Sequence, residues 1–136
     1  HVLPALIRRF HEAKEKGLEQ VVIWGSGKPR RELMHVEDLA RGVLFLMEID
    51  NPPDWVNLGT GIDHSIQEIA ELVKKTVGYE GEILNDASKP DGMPVKRLDV
   101  SLVNSLGWNA QISLEDGIIS TYDDFLKGLK NGTTRM

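Results

Sequence analysis

The sequence contains no cysteine, and this absence excludes several kinds of site at once. A chain without thiols has no disulfide framework, no thiolate zinc site and no cysteine nucleophile. Long hydrophobic runs are also missing, because polar residues or glycines interrupt each apolar stretch within a few positions, so no membrane span is predicted.

An excess of positive charge is missing as well. With 16 basic and 21 acidic residues the net charge is −5, which argues against a nucleic-acid-binding protein. A length of 136 residues, with 40% apolar and 27% charged residues, is typical of one ordinary globular domain. The cations nevertheless gather locally at Arg8–Arg9 and around Lys28, Arg30 and Arg31, which indicates either an anion site or a solvated charged face.

Familiar nucleotide and metal motifs are absent too. The 25–28 run Gly-Ser-Gly-Lys lacks phosphate-loop spacing, and Pro29 follows its lysine. No G-x-G-x-x-G opens a strand–helix unit, so the chain does not hold a dinucleotide by the usual route. His11, His35 and His64 do not fall at ligand spacing, and no metal site is predicted. The residues alone show no complete catalytic set.

Apolar periodicity predicts most of the helices. Helical spacing runs from Leu3 to Gly17, from Glu37 to Glu48, from Ser65 to Gly78 and from Ser113 onwards, with a short helix near 100–106. Ser65 and Glu68 form a capping box. The polar tail after Gly128 is expected to fray.

Four short segments are predicted strands. Val21–Trp24 is typical of a buried strand, and Leu33–Val36, Trp55–Leu58 and Ile83–Leu84 are shorter candidates. Residues 89–94 form a loop because two prolines flank an Asp-Gly turn. Strands that alternate with helices predict an α/β fold.

A few residues offer chemistry, each with a structural alternative. Arg9 and Arg31 suit a pyrophosphate clamp, or are ordinary surface ion pairs. The Trp24 ring stacks on a flat base or packs in the core, and its strand favours the core. The Asp91–Lys96 loop offers a carboxylate for hydroxyls and a cation for phosphate, or is a solvent-exposed turn. His1 is a general acid or a solvated terminal residue.

Several segments together resemble the extended short-chain dehydrogenase/reductase family. They are His1–His11, Val21–Gly27, Arg31–Asp38, Asn57–Gly61, Asp86–Gly92 and Ser113–Glu115. The resemblance covers essentially the whole chain in order. The opening His1–Leu6 and the Asp86–Gly92 loop resemble most narrowly those members that act on GDP-linked sugars.

The resemblance implies an NADPH-dependent oxidoreductase and epimerase, cytoplasmic and homodimeric. Such an enzyme converts GDP-4-keto-6-deoxy-D-mannose to GDP-L-fucose by epimerisation and reduction. By motif match, the substrate-binding positions are Arg9, Trp24, Arg31, Asp91 and Lys96, with the cations facing the pyrophosphate. His1 matches a histidine that is general acid in the epimerisation and lies near the nicotinamide.

The same resemblance implies that residues 1–136 are the C-terminal, substrate-binding part of a Rossmann-type fold, built from short strands with packed helices. The family's Gly-rich loop and catalytic Tyr-x-x-x-Lys are expected upstream, where NADP(H) and most of the dimer interface would lie. This chain alone is therefore expected to be inactive, and about 37–62 to pack back on the cofactor domain. Alternatives are the substrate domain of another sugar-nucleotide epimerase or dehydratase, and a non-catalytic nucleotide-binding or interaction module.

Overall fold

A computed structural model describes residues 1–133, and helices and short strands alternate along them. The elements in chain order are α1 Val2–Glu15, β1 Gln20–Trp24, β2 Arg30–Glu32, α2 Val36–Glu48, β3 Asp63–Ser65, α3 Ile66–Val77, β4 Glu82–Asp86, β5 Val95–Lys96, α4 Ser101–Ser105 and α5 Leu114–Lys130. The predicted α/β class is confirmed.

The strands of the described residues form two small sheets. In the first, β1 pairs in parallel with β4, so that Trp24 lies opposite Asp86 at the shared C-terminal edge. In the second, β2 lies between antiparallel β3 and parallel β5, and Arg31 lies opposite Lys96. Trp24 ends β1 and Lys96 ends β5, so two predicted site residues lie at strand ends, where loops leave room for a ligand.

Three helices and β1 enclose the main core. Phe10 of α1, Ile69 of α3 and Ile118 of α5 are almost fully buried there, as the helical spacing predicts. The capping box at the start of α3 is confirmed: the Ser65 hydroxyl accepts from the Glu68 N–H at 3.1 Å, and the Glu68 carboxylate accepts from the Ser65 N–H at 2.7 Å.

Helix α2 is held mainly from its inner side. The Asp38 carboxylate, 1% exposed, accepts from the N–H groups of Gln111 and Ile112 and, at 2.6 Å, from the Arg41 guanidinium. Burial raises the pKa of Asp38, but the Arg41 and backbone hydrogen bonds outweigh it and hold the pKa below its ordinary value. These bonds fix α2 to the segment before α5.

Two predicted strands are wrong. Leu33–Val36 is not a strand. The strand is formed by the three polar residues directly before it, Arg30–Glu32, which pair with β3 and β5. Trp55–Leu58 pairs with no strand of the described residues, and the Trp55 side chain is 89% exposed.

Other expectations need smaller corrections. The strand predicted at Val21–Trp24 exists, but only its alternate residues are buried, since one face of the two-stranded sheet is open. Ile83–Leu84 is confirmed within β4. Helix α5 continues past Gly128 to Lys130, so the predicted fraying does not begin at Gly128; residues 134–136 lie outside the described range.

Candidate functional site

A glycine turn at the end of β1 shapes the first part of the site. Gly25 and Gly27 have φ of 78° and 75°, a left-handed conformation that glycine adopts without steric cost. A methyl group added to Gly25 would collide with the Asp91 carboxylate. Only a glycine therefore lets the loop that carries Asp91 approach this closely.

Asp91 joins that turn to the loop of residues 87–94, here called the Asp91 loop. Its carboxylate accepts from the Ser26 N–H at 2.8 Å and from the Ser26 hydroxyl at 2.6 Å. The Ser26 hydroxyl and N–H lower the pKa of Asp91 below its ordinary value, burial opposes them, and the charge of Lys28 adds to the lowering. Asp91 is therefore a charged residue that fastens its loop to the turn, and we call its two hydrogen bonds to Ser26 the Asp91 latch.

Trp24 projects outward beside this latch. Its side chain is 65% exposed, so the core interpretation favoured by the strand pattern is wrong. The Arg9 guanidinium lies 5.5 Å from the ring centroid and the Lys89 ammonium 5.7 Å, both within cation–π range. Arg9 also donates to the Val22 carbonyl at 3.2 Å. We call Arg9, Trp24 and Lys89 the Trp24 cluster.

A second group of predicted residues lines a neighbouring cavity. His1, Arg31 and Lys96 all line a cavity of about 480 Å³, here called the His1 cavity. The parallel β2–β5 pairing sets Arg31 opposite Lys96. Arg31 donates to the carbonyl of Met93 at 2.7 Å, so its guanidinium also holds the end of the Asp91 loop. The loop thus runs from the Trp24 cluster to the cavity.

Glu32, which the sequence analysis missed, supports the cavity from within. One carboxylate oxygen accepts from the N–H groups of Thr60 at 2.6 Å and Gly61 at 3.0 Å, and the other accepts from the Leu98 N–H at 2.7 Å. The partners lie 28 to 66 residues away, so no local spacing marks Glu32. This carboxylate joins three segments around the cavity.

We expect Glu32→Gln to lower the free energy of unfolding by about 2 kcal/mol. Glutamine keeps the shape but offers one acceptor oxygen, and its NH₂ group would face a backbone donor. Chemical denaturation with circular dichroism measures the change, and exposed Glu80→Gln is the matched control. Equal stability of the two variants would contradict a structural role for Glu32.

The predicted site residues therefore fall into two groups that the Asp91 loop connects. Arg9 and Trp24 meet in one group, His1, Arg31 and Lys96 meet in another, and Asp91 lies in the loop between them. Within residues 1–133 no group of three or more potential metal ligands is found. The same part of the chain has no helix long and apolar enough to cross a bilayer. Cations, an exposed aromatic ring and a cavity suit an organic phosphate.

Comparison with known proteins bears on this interpretation. The NAD dependent epimerase/dehydratase family matches residues 1–59. GDP-L-fucose synthase 1 from Arabidopsis thaliana is 52% identical over 131 residues, which are 96% of this chain and 41% of that protein. The chain is similar to GDP-L-fucose synthases. The resemblance predicted from the sequence is thus confirmed.

Solved structures agree on the fold. A GDP-L-fucose synthetase from Naegleria fowleri superposes with a TM-score of 0.89 at 28% identity, covering 100% of this chain and 41% of that one. UDP-glucose 4-epimerase from Thermotoga maritima gives 0.74 at 31% identity, covering 91% of this chain and 40% of that one. The chain therefore has the fold of the matching part of these epimerases and synthases. It spans about two fifths of the length of the curated GDP-L-fucose synthases that it matches.

Proposed function

We propose that this chain supplies the GDP-sugar site of an NADPH-dependent epimerase and reductase that converts GDP-4-keto-6-deoxy-D-mannose to GDP-L-fucose. The observation that most supports this proposal is the position of three positively charged side chains. In this acidic chain, Arg9, Arg31 and Lys96 form no ion pair within residues 1–133, and the Asp91 loop connects the Trp24 cluster, which holds Arg9, to the cavity that Arg31 and Lys96 line. A diphosphate would neutralise them. The 52% identity to a plant GDP-L-fucose synthase supports the nucleotide and the reaction.

Each residue has a part in this proposal. Arg9 and Arg31 bind the diphosphate with their planar guanidinium groups, and Lys96 adds a point charge. Trp24 faces the nucleotide, and the Asp91 carboxylate fixes the loop and has lone pairs left for a ligand hydroxyl. His1 is the proposed general acid of epimerisation and the neighbour of the nicotinamide, since it lines the same cavity as Arg31 and Lys96.

We propose that most of the NADP(H) site lies outside this chain. The turn after β1 leads into another strand, not a helix, so this turn is no dinucleotide site, and His1 is the contact that this chain offers to NADP(H). We propose that 37–62 pack on a cofactor domain of a longer, cytoplasmic, dimeric enzyme. Exposed Val43, Leu44 and Met47 on the outer face of α2 support that contact.

The nucleotide preference tests the proposal. We expect the 136-residue chain to bind GDP more tightly than UDP or dTDP in isothermal titration calorimetry. The reason is the 52% identity to a synthase of GDP-L-fucose, which is a guanosine diphosphate sugar. Preference for UDP would instead favour another sugar-nucleotide epimerase. The structural likeness to UDP-glucose 4-epimerase points to this alternative. Absence of any nucleotide binding would favour an interaction module.

A further inference from the structure

Lys89 stands out among the cations because nothing in the sequence motifs assigns it a role. Its ammonium lies over the same exposed Trp24 ring as the Arg9 guanidinium. Two like charges beside one ring repel each other unless an anion lies near them. Within the described part of the chain, neither Arg9 nor Lys89 forms an ion pair. The Trp24 cluster therefore carries two positive charges that form no ion pair with a carboxylate of this range.

The backbone of Lys89 is also fixed in place. β1 and β4 pair so that Asp86 lies opposite Trp24. Beyond that pair the chain turns: the Lys89 N–H donates to the Asp86 carbonyl at 3.2 Å. The Ser88 N–H and hydroxyl donate to the Asp86 carboxylate at 3.0 and 2.6 Å. Two residues further, the Asp91 latch holds the loop. Lys89 thus leaves a hydrogen-bonded turn directly beside the ring.

We propose that Lys89 contacts the diphosphate of the bound nucleotide, and that the Trp24 ring holds its ammonium beside Arg9. The inference rests on the proposed function and adds a residue to its anion site. Trp24 is then a positioning residue for two cations, whatever further contact it makes with the nucleotide. A lysine acts as a mobile point charge, and a ring face restricts where that charge lies.

The test compares wild type with Lys89→Gln, which removes the charge and nearly preserves the length. Both are titrated with GDP, guanosine and inorganic pyrophosphate, and Lys130→Gln at the end of α5 is the matched control. We expect Lys89→Gln to weaken GDP and pyrophosphate by about tenfold and to leave guanosine unchanged, because one charge-assisted contact is lost. Unchanged thermal unfolding of this exposed loop variant would show that the fold is intact.

Each other outcome has a distinct meaning. Equal weakening of GDP and guanosine would overturn the proposal, because Lys89 would then contact the nucleoside. Unchanged affinity for GDP and pyrophosphate would also overturn it and leave the proposed function intact. Lys89→Gln could weaken pyrophosphate binding while wild type shows no preference for GDP over UDP or dTDP. In that case the diphosphate contact stands and the proposed function fails.

Discussion

Asp38→Ala is expected to lower the free energy of unfolding by about 3 kcal/mol. The carboxylate is 1% exposed and satisfies the N–H groups of Gln111 and Ile112. Its removal leaves these two donors without their partner and leaves the Arg41 guanidinium without its 2.6 Å contact. Helix α2 then loses these hydrogen bonds to the segment before α5. Chemical denaturation measures the change, and Asp50→Ala, at an exposed position just after α2, is the control.

The pH dependence gives this prediction a second readout. The folded-state pKa of Asp38 lies below its ordinary value, which is about 4. Its contribution to stability is therefore present in full above the unfolded pKa and is lost as pH falls through the folded pKa. We expect the stability difference between wild type and Asp38→Asn to be largest near neutral pH and to shrink below about pH 4. A difference that does not change with pH would contradict a role for the charged carboxylate.

Asp38 also illustrates what the sequence could and could not predict. In sequence it is an acidic residue in the first turn of a helix, a common position on a solvent-exposed face. Its burial depends on backbone donors 73 and 74 residues further along the chain. Nothing within one helical turn of Asp38 carries that information. The same holds for Glu32, whose three backbone partners come from distant loops.

The sequence correctly predicted those features that depend only on neighbouring residues. The capping box at Ser65 and Glu68 and the ends of α1 and α3 at glycines follow from neighbouring residues, and all are present. Strands were harder, because a strand needs a partner. Arg30–Glu32 is polar and pairs with polar Asp63–Ser65, so no apolar alternation marked either one. Trp55–Leu58 had strand composition but no neighbouring strand within the described residues.

The candidate site was likewise predicted only in part. Residue types and the family resemblance singled out six residues, and the fold gathers them into the Trp24 cluster, the His1 cavity and the loop between them. The strand pattern placed Trp24 in the core, because alternation does not reveal that a two-stranded sheet leaves one face open. Lys89 was missed since its contact with Trp24 arises only when β4 pairs with β1.

Removal of both arginines should have the largest effect on binding. We expect Arg9→Ala and Arg31→Ala each to weaken GDP binding about tenfold, and the double variant about a hundredfold, because each loses one charge-assisted phosphate contact. The two effects should be roughly additive because neither arginine holds the other in place: Arg9 bonds to the Val22 carbonyl, and Arg31 bonds to the carbonyls of Arg30 and Met93. Calorimetric titration of GDP measures all three affinities.

Arg8→Ala is the matched control for Arg9→Ala. Arg8 is the neighbouring residue on α1, and its guanidinium already pairs with Glu12 at 2.6 Å, so its loss should leave GDP binding unchanged. Arg31 needs a different control because it also holds the Met93 carbonyl. Arg31→Lys keeps the charge but loses the bidentate fork, so an intermediate affinity is expected if the guanidinium contacts phosphate. If the double variant binds GDP as tightly as wild type, the arginines are structural, and the interaction-module alternative becomes the better account of this chain.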